Sequence, residues 1–215
     1  LIVLVPAFKL RAMNTLTLST VSACALFALA TSITPGPNNT MLLASGVNFG
    51  FRRTVPHLLG VSGGLGLILL PASAGLQALV ASHPAFHELL RWLGSAYLLW
   101  LAWGLARTEA SSIQAAGTTA RPMGFWAAAA FQWVNPKAWI MAIGYFSNYM
   151  PTDASLTFVV LTCMMFSAIN FPSVGLWVWL GAKLEHYLQQ DQWRKIFNWT
   201  MALLLVISMV PVLFI

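Results

Sequence analysis

Between Val21 and Phe49 the chain runs without an Asp, Glu, Lys or Arg. At ~1.5 Å per residue, a straight helix of that length overshoots the ~30 Å core of a bilayer. Inside this run stand Pro35, Gly36, Pro37, Asn38 and Asn39. Proline lacks an amide donor and its ring clashes with the preceding turn, so the ladder must break here and leave carbonyls around Ala30 to Ile33 without partners. Hydrocarbon supplies none, and broken backbone is tolerated in a membrane only against protein or a wet cavity. A broken or strongly tilted helix is therefore expected. Asn38 and Asn39 either mend the break or bind a polar solute.

The rest of the chain has the same character. Of its 215 residues 59% are hydrophobic and 7% charged, and the mean hydropathy is +0.75; a soluble domain carries about 25% charged residues. Hydropathy places six helices at roughly 16–49, 57–82, 88–107, 124–147, 155–182 and 195–215, each near or above bilayer length. The fold class expected is an all-α integral membrane protein. Residues 1–12 precede the first methionine, Met13, and are read as a leader or a mis-assigned extension; 13–215 form a single domain. The polar connection Arg107 to Pro122 divides it into halves of about 13–107 and 122–215.

Orientation follows from charge. Arg52, Arg53, Arg107, Arg121, Lys183, Arg194 and Lys195 fall on the first, third and fifth connections, and Arg91 alone on the second and fourth. The positive-inside bias then puts the odd connections in the cytoplasm and both termini outside. Lys9 and Arg11 oppose this only if translation starts before Met13. Three helices per half forces the halves into opposite orientations, an inverted repeat. Local sequence agrees: Asn135, Pro136 and Lys137 interrupt the first helix of the second half as Pro35 to Asn39 interrupt that of the first.

Paired broken helices near the membrane centre point to a solute site, with helix N-termini facing the anionic end of the solute. Lys137 is the one basic residue placed within a span. It either holds a substrate carboxylate or snorkels to the outer interface. Gln132 and Asn170 are polar residues in apolar context, suited to lining a site or to interhelical hydrogen bonds. Arg52 and Arg53 are read as an orientation anchor or a gate. His57 opens the second span as a lone interfacial histidine, more in keeping with structure than with proton carriage. Gly60 and Gly64 have the spacing for close helix approach, and Trp92, Tyr97, Trp100, Trp103, Trp133 and Trp139 suit an interfacial belt or bundle packing. Glu88, Glu109, Asp153, Glu185 and Asp191 all fall in connections or at helix ends, so no carboxylate proton relay lies inside a span.

Other classes are disfavoured. The +6 charge is scattered and forms no basic patch with interleaved aromatics, so nucleic acid is not an expected partner. Cys24 and Cys163 lie far apart in apolar segments without ligand spacing, and His83 and His87 are separated by Pro84. Neither a metal nor another cofactor is expected.

The stretches TPGPNNTMLLASGVNFGFRRTVPHLLG, LRWLGSAYLLWLAW and FQWVNPKAW together closely resemble the LysE/RhtB family of bacterial amino-acid exporters. The resemblance covers nearly the whole chain from about Met13. It implies a six-helix inner-membrane carrier, not an enzyme, that expels amino acids or their derivatives at the expense of the proton gradient. Its matching positions are Pro35, Gly36, Pro37, Asn38 and Asn39, and Asn135, Pro136 and Lys137. Within the family, the chain looks most like exporters of cysteine, O-acetylserine and related small neutral amino acids, or of homoserine and threonine. The partners implied are an amino-acid substrate and the lipid bilayer, with a homo-oligomer left open. The alternative from another class is a thiol-electron-transfer membrane oxidoreductase.

Overall fold

The computed structural model describes residues 18–73, 84–107, 121–149, 154–188 and 190–213. Residues 1–12, His83, and the side chains of His87, Glu88 and Arg91 lie outside that description, as do residues 108–120, with Glu109, and 150–153, with Asp153. The described residues form seven helices: α1 Leu18–Ile33, α2 Pro37–Ser73, α3 Pro84–Ala106, α4 Phe125–Val134, α5 Pro136–Tyr149, α6 Leu156–Leu184 and α7 Asp191–Leu213. No strand occurs among them.

The two expected interruptions are real breaks, and one local grammar makes both. Thr34 to Gly36 separates α1 from α2, and Asn135 separates α4 from α5. In each case a proline, Pro37 or Pro136, takes the first position of the new helix, where its missing N–H would have had no intrahelical acceptor. Gly36 and Asn135 precede them as caps: Thr40 N donates to Gly36 O at 2.9 Å, and Ala138 N to Asn135 O at 3.0 Å. Asn135 is extended, at φ −85° and ψ 107°, and its Oδ1 accepts from Lys137 N at 3.1 Å.

The connection expected between 49 and 57 is made at a single residue. Gly50 lies within α2 at φ 74° and ψ 171°. Ser45 and Thr54 hydroxyls lie 2.9 Å apart, although nine residues of straight helix would separate them by roughly 13 Å. The chain therefore reverses at Gly50, and α2 is two legs, 37–49 and 51–73. The second helix starts at residue 51 rather than at the expected 57. Arg52 and Arg53 consequently occupy its first turn, exposed. That backbone region is essentially open to glycine alone. Gly50→Ala is expected to cost on the order of 1–3 kcal/mol, read as a lowered melting temperature in detergent; an unchanged transition would show that the turn relaxes without strain.

The expected end of the second span, at 82, lies outside the described residues, and the other bounds lie within a few residues of expectation. Helices α2 and α6 pack over the longest interface, α2 also carries α4, and α3 pairs with α7. The closest approaches are at glycines. A Cβ on Gly60 would stand 2.3 Å from Phe125 O, and one on Gly64 2.7 Å from Ala129 Cα, so the predicted Gly60/Gly64 face is where α4 docks. Gly46 and Gly181 are as tight across the α2–α6 contact. Around this frame the exterior is strongly apolar: Leu26, Trp126, Leu156, Met164, Leu203 and Ile207 are all exposed. A patch so extensive is suited to lipid rather than water. Among the described helices, Pro37–Ser73 and Leu156–Leu184 are long and apolar enough to cross a bilayer.

Candidate functional site

The breaks meet. Asn38, one residue into α2, and Gln132, near the end of α4, form a reciprocal amide pair, with Asn38 Nδ2 donating to Gln132 Oε1 at 2.7 Å and Gln132 Nε2 to Asn38 Oδ1 at 3.1 Å. Gln132 is fully buried and also donates to Ala128 O at 2.9 Å. Each amide is thus engaged on both sides, as a buried polar group must be to avoid a desolvation penalty of ~1–3 kcal/mol.

Lys137 ties the same breaks from the other direction. From the first turn of α5 its Nζ donates to Thr34 O and, at 3.4 Å, to Pro35 O. An ammonium at the C-terminal carbonyls of α1 is electrostatically well placed, since the helix dipole is negative there. In this conformation Lys137 bonds to the backbone of the opposite broken helix and is half-buried.

Asn39 performs the repair. Its Nδ2 donates to Ser32 O and to Thr34 O, both at 2.8 Å. Thr34 N and Oγ1 also bond to Ala30 O. Of the carbonyls expected to lack partners, Ala30 O is met by Thr34 and Ser32 O by Asn39, and Thr34 O just beyond them is met by Asn39 and Lys137. Across the second break, Trp139 Nε1 donates to Trp133 O at 2.8 Å and so serves a carbonyl that the break leaves free. Asn170, on α6, joins the network by donating to Ser32 Oγ at 3.0 Å and accepting from Ser62 Oγ at 3.1 Å.

Between these groups lies a cavity of about 20 Å³, lined by Ser32, Asn38, Asn39, Gln132, Asn135 and Lys137 among others. That is room for about one water molecule. Asn135 Nδ2 is buried without a partner. Gly36 closes the cavity wall: a Cβ there would meet Lys137 Cδ at 2.8 Å. The proline, glycine and amide positions singled out in sequence, Pro35 to Asn39, Gln132 and Asn135 to Lys137, are all brought to this one place. Arg52 and Arg53 are not; they stand at the far end of the 37–49 leg.

That far end gathers the basic residues. Phe49, Trp103, Gly104 and Arg121 line one cavity, and a Cβ on Gly50 would lie 3.7 Å from Glu185 Oε2, so the ends of α3, α4, α6 and α2's first leg coincide. His57 also lies near this end, but it is 2% exposed rather than interfacial. The reversal at Gly50 explains the difference, because it places His57 in the second turn of the returning leg. Cys24 and Cys163 are buried and unpaired in an apolar cluster with Tyr145 and Phe166. Among the described residues no group of His, Cys, Asp and Glu could hold a metal ion.

Comparison with known proteins places the chain in a family. Residues 29–213 match the family model for the LysE type translocator. The chain is 32% identical to the cysteine/O-acetylserine efflux proteins of Escherichia coli strain K12 and strain HS, over 90% of this chain and 97% of each relative. It is 31% identical to the protein of that name from Escherichia coli O1:K1, over the same shares. No solved structure matches the chain. Translocation across a membrane, rather than thiol-electron transfer or other enzymatic chemistry, is therefore the activity of its kind, and the chain belongs to the LysE translocator family.

Proposed function

We propose that the protein exports small neutral amino acids or their derivatives across the bacterial inner membrane by proton-driven alternating access. Six spans form two inverted three-helix halves: α1 with the 37–49 leg of α2, the 51–73 leg, and α3 in the first; α4 with α5, α6, and α7 in the second. The observation that carries this reading is the junction of the two breaks, joined by the Asn38–Gln132 pair and the Lys137–Thr34 bond. Exchange of partners between halves supports the repeat, since the second helix of each half packs on the broken helix of the other and the third helices pair. The basic end is cytoplasmic by the positive-inside rule, and both termini face outside.

A junction with room for one water must open to pass an amino acid, and opening it breaks exchangeable hydrogen bonds rather than apolar packing. The freed amides of Asn38 and Gln132, the ammonium of Lys137 and the N-terminus of α2 then meet the zwitterion. The relatives' names, and the lack of a membrane-embedded acid to pair with a cationic side chain, support a small neutral substrate.

Export is tested with amino acids loaded into cells or inside-out vesicles, with and without a pH gradient. Neutral amino acids should move and the gradient should drive them; transport indifferent to the gradient would remove proton coupling. Asn38→Ala and Gln132→Ala should each reduce transport at least tenfold at equal membrane abundance. The double variant should lose little more than either, because the two amides act as a unit. Full transport in both single variants would remove the junction from the mechanism.

A further inference from the structure

We infer that the molecule holds a second, separate solute site: a loading site at its basic end, built on His57 and Asn48, that takes the zwitterion of an amino acid with a neutral side chain. The inference rests on the export reading above and adds to it where the solute is first held.

The space is there. A cavity of about 300 Å³ lies between the two legs of α2, the end of α3 and the entry to α4. Ligand pockets begin at about that size, and the junction cavity is about 20 Å³. Of these two cavities, the one at the basic end has the size to admit an amino acid in this conformation.

Its polar groups await a ligand. Both ring nitrogens of His57 are buried and have no hydrogen-bond partner, and Asn48 Oδ1 is likewise buried and unpartnered. Both residues line the cavity, at 2% and 5% exposure. Orphaned buried polar atoms are rare because each costs free energy. Three of them belong to two residues that line one cavity, and a ligand entering between these side chains would satisfy them. Asn48 is held in place by its other end, with Nδ2 donating to Ala44 O at 2.9 Å and to Asn198 Oδ1 at 3.1 Å. Its free oxygen is therefore a fixed acceptor.

The set selects its ligand. Asn48 Oδ1 and the basic nitrogen of His57 accept hydrogen bonds from an ammonium, and the guanidinium of Arg121, which also lines the cavity, suits a carboxylate. Among the described residues no Asp or Glu lines it, while Met41, Trp100, Met123 and Leu205 make the remaining walls apolar. A cationic side chain would find no counter-charge among them. With this cavity formed at the basic end and the junction closed, the conformation is the loading state of the carrier.

The test is equilibrium binding to the purified full chain in lipid nanodiscs, using O-acetylserine and homoserine as neutral probes and arginine as the cationic control, alongside export from cells. His57→Leu should weaken binding of the neutral probes at least tenfold while leaving the melting temperature unchanged or raised, since the ring makes no hydrogen bond within the protein. Gly104→Trp should abolish binding without harming the fold, because a Cβ at Gly104 meets nothing within 4 Å and Gly104 lines the cavity. Asn38→Ala should keep binding and lose export. Wild-type affinity in both His57→Leu and Gly104→Trp overturns the loading site and leaves the export reading standing. Arginine bound as tightly as homoserine overturns the ligand class. A wild-type protein that neither binds nor exports any amino acid overturns the export reading, and this site with it.

Discussion

Replacing Gly181 with leucine is expected to remove the folded protein altogether. Gly181 on α6 and Gly46 on α2 face each other: a Cβ on Gly181 would stand 2.2 Å from Leu43 O and 3.1 Å from Gly46 Cα, and one on Gly46 2.4 Å from Val178 O. The obstacles are backbone on both sides, so no side chain can swing aside and the helices themselves must part. Alanine at this position should cost at least the ~1–3 kcal/mol typical of overpacking. Leucine should exceed it severalfold, against a total stability of about 5–15 kcal/mol for an ordinary domain. Size-exclusion profiles of a fluorescent fusion report the outcome: the monodisperse peak should vanish for Gly181→Leu and persist for Gly104→Ala, where nothing stands in the way. A normal peak from Gly181→Leu would mean that the α2–α6 contact is looser than drawn.

The second large effect is on transport rather than folding. Lys137→Met keeps the aliphatic stem and removes the ammonium that bonds to Thr34 O and Pro35 O. Asn39 still serves Ser32 O and Thr34 O, so the broken helix keeps its repair and the melting temperature should fall by only a few degrees. Export should fall at least tenfold, because the variant loses both the charge that ties the breaks together and the cation proposed to meet the substrate carboxylate. Arginine should not restore it. A planar fork cannot replace a compact ammonium in a space closed on one side by Gly36. Export at the wild-type rate by Lys137→Met would remove the lysine from the transport path.

Much of the site was legible in advance because proline chemistry is local. A Pro-Gly-Pro or an Asn-Pro in an apolar run breaks a helix whatever surrounds it, and both breaks fall where those residues stand. The polar residues beside them were equally visible. What each does was not. Asn38 and Asn39 are neighbours with the same side chain, yet Asn39 turns back to mend its own helix while Asn38 reaches across to Gln132. That division depends on which face of α2 meets α4, a matter of packing between segments 94 residues apart in sequence. Gly46 and Gly181 escaped notice for the same reason, since their closeness appears only when two distant helices are laid together.

His57 marks the boundary between the two kinds of knowledge. Placed by hydropathy, it sits at a membrane interface and asks for no explanation. The reversal at Gly50, a single residue with φ 74°, starts the returning helix early and carries the ring into the protein beside Asn48. Composition and periodicity by themselves determined that this chain is helical and built for lipid, and its prolines that two of its helices are broken, because those properties follow from solvation and local sterics. Which amides pair, which backbone carbonyls a lysine meets and which polar atoms are left facing a cavity were decided only by tertiary packing, because hydrogen bonds between helices exist only once the helices have been brought within about 3 Å of one another.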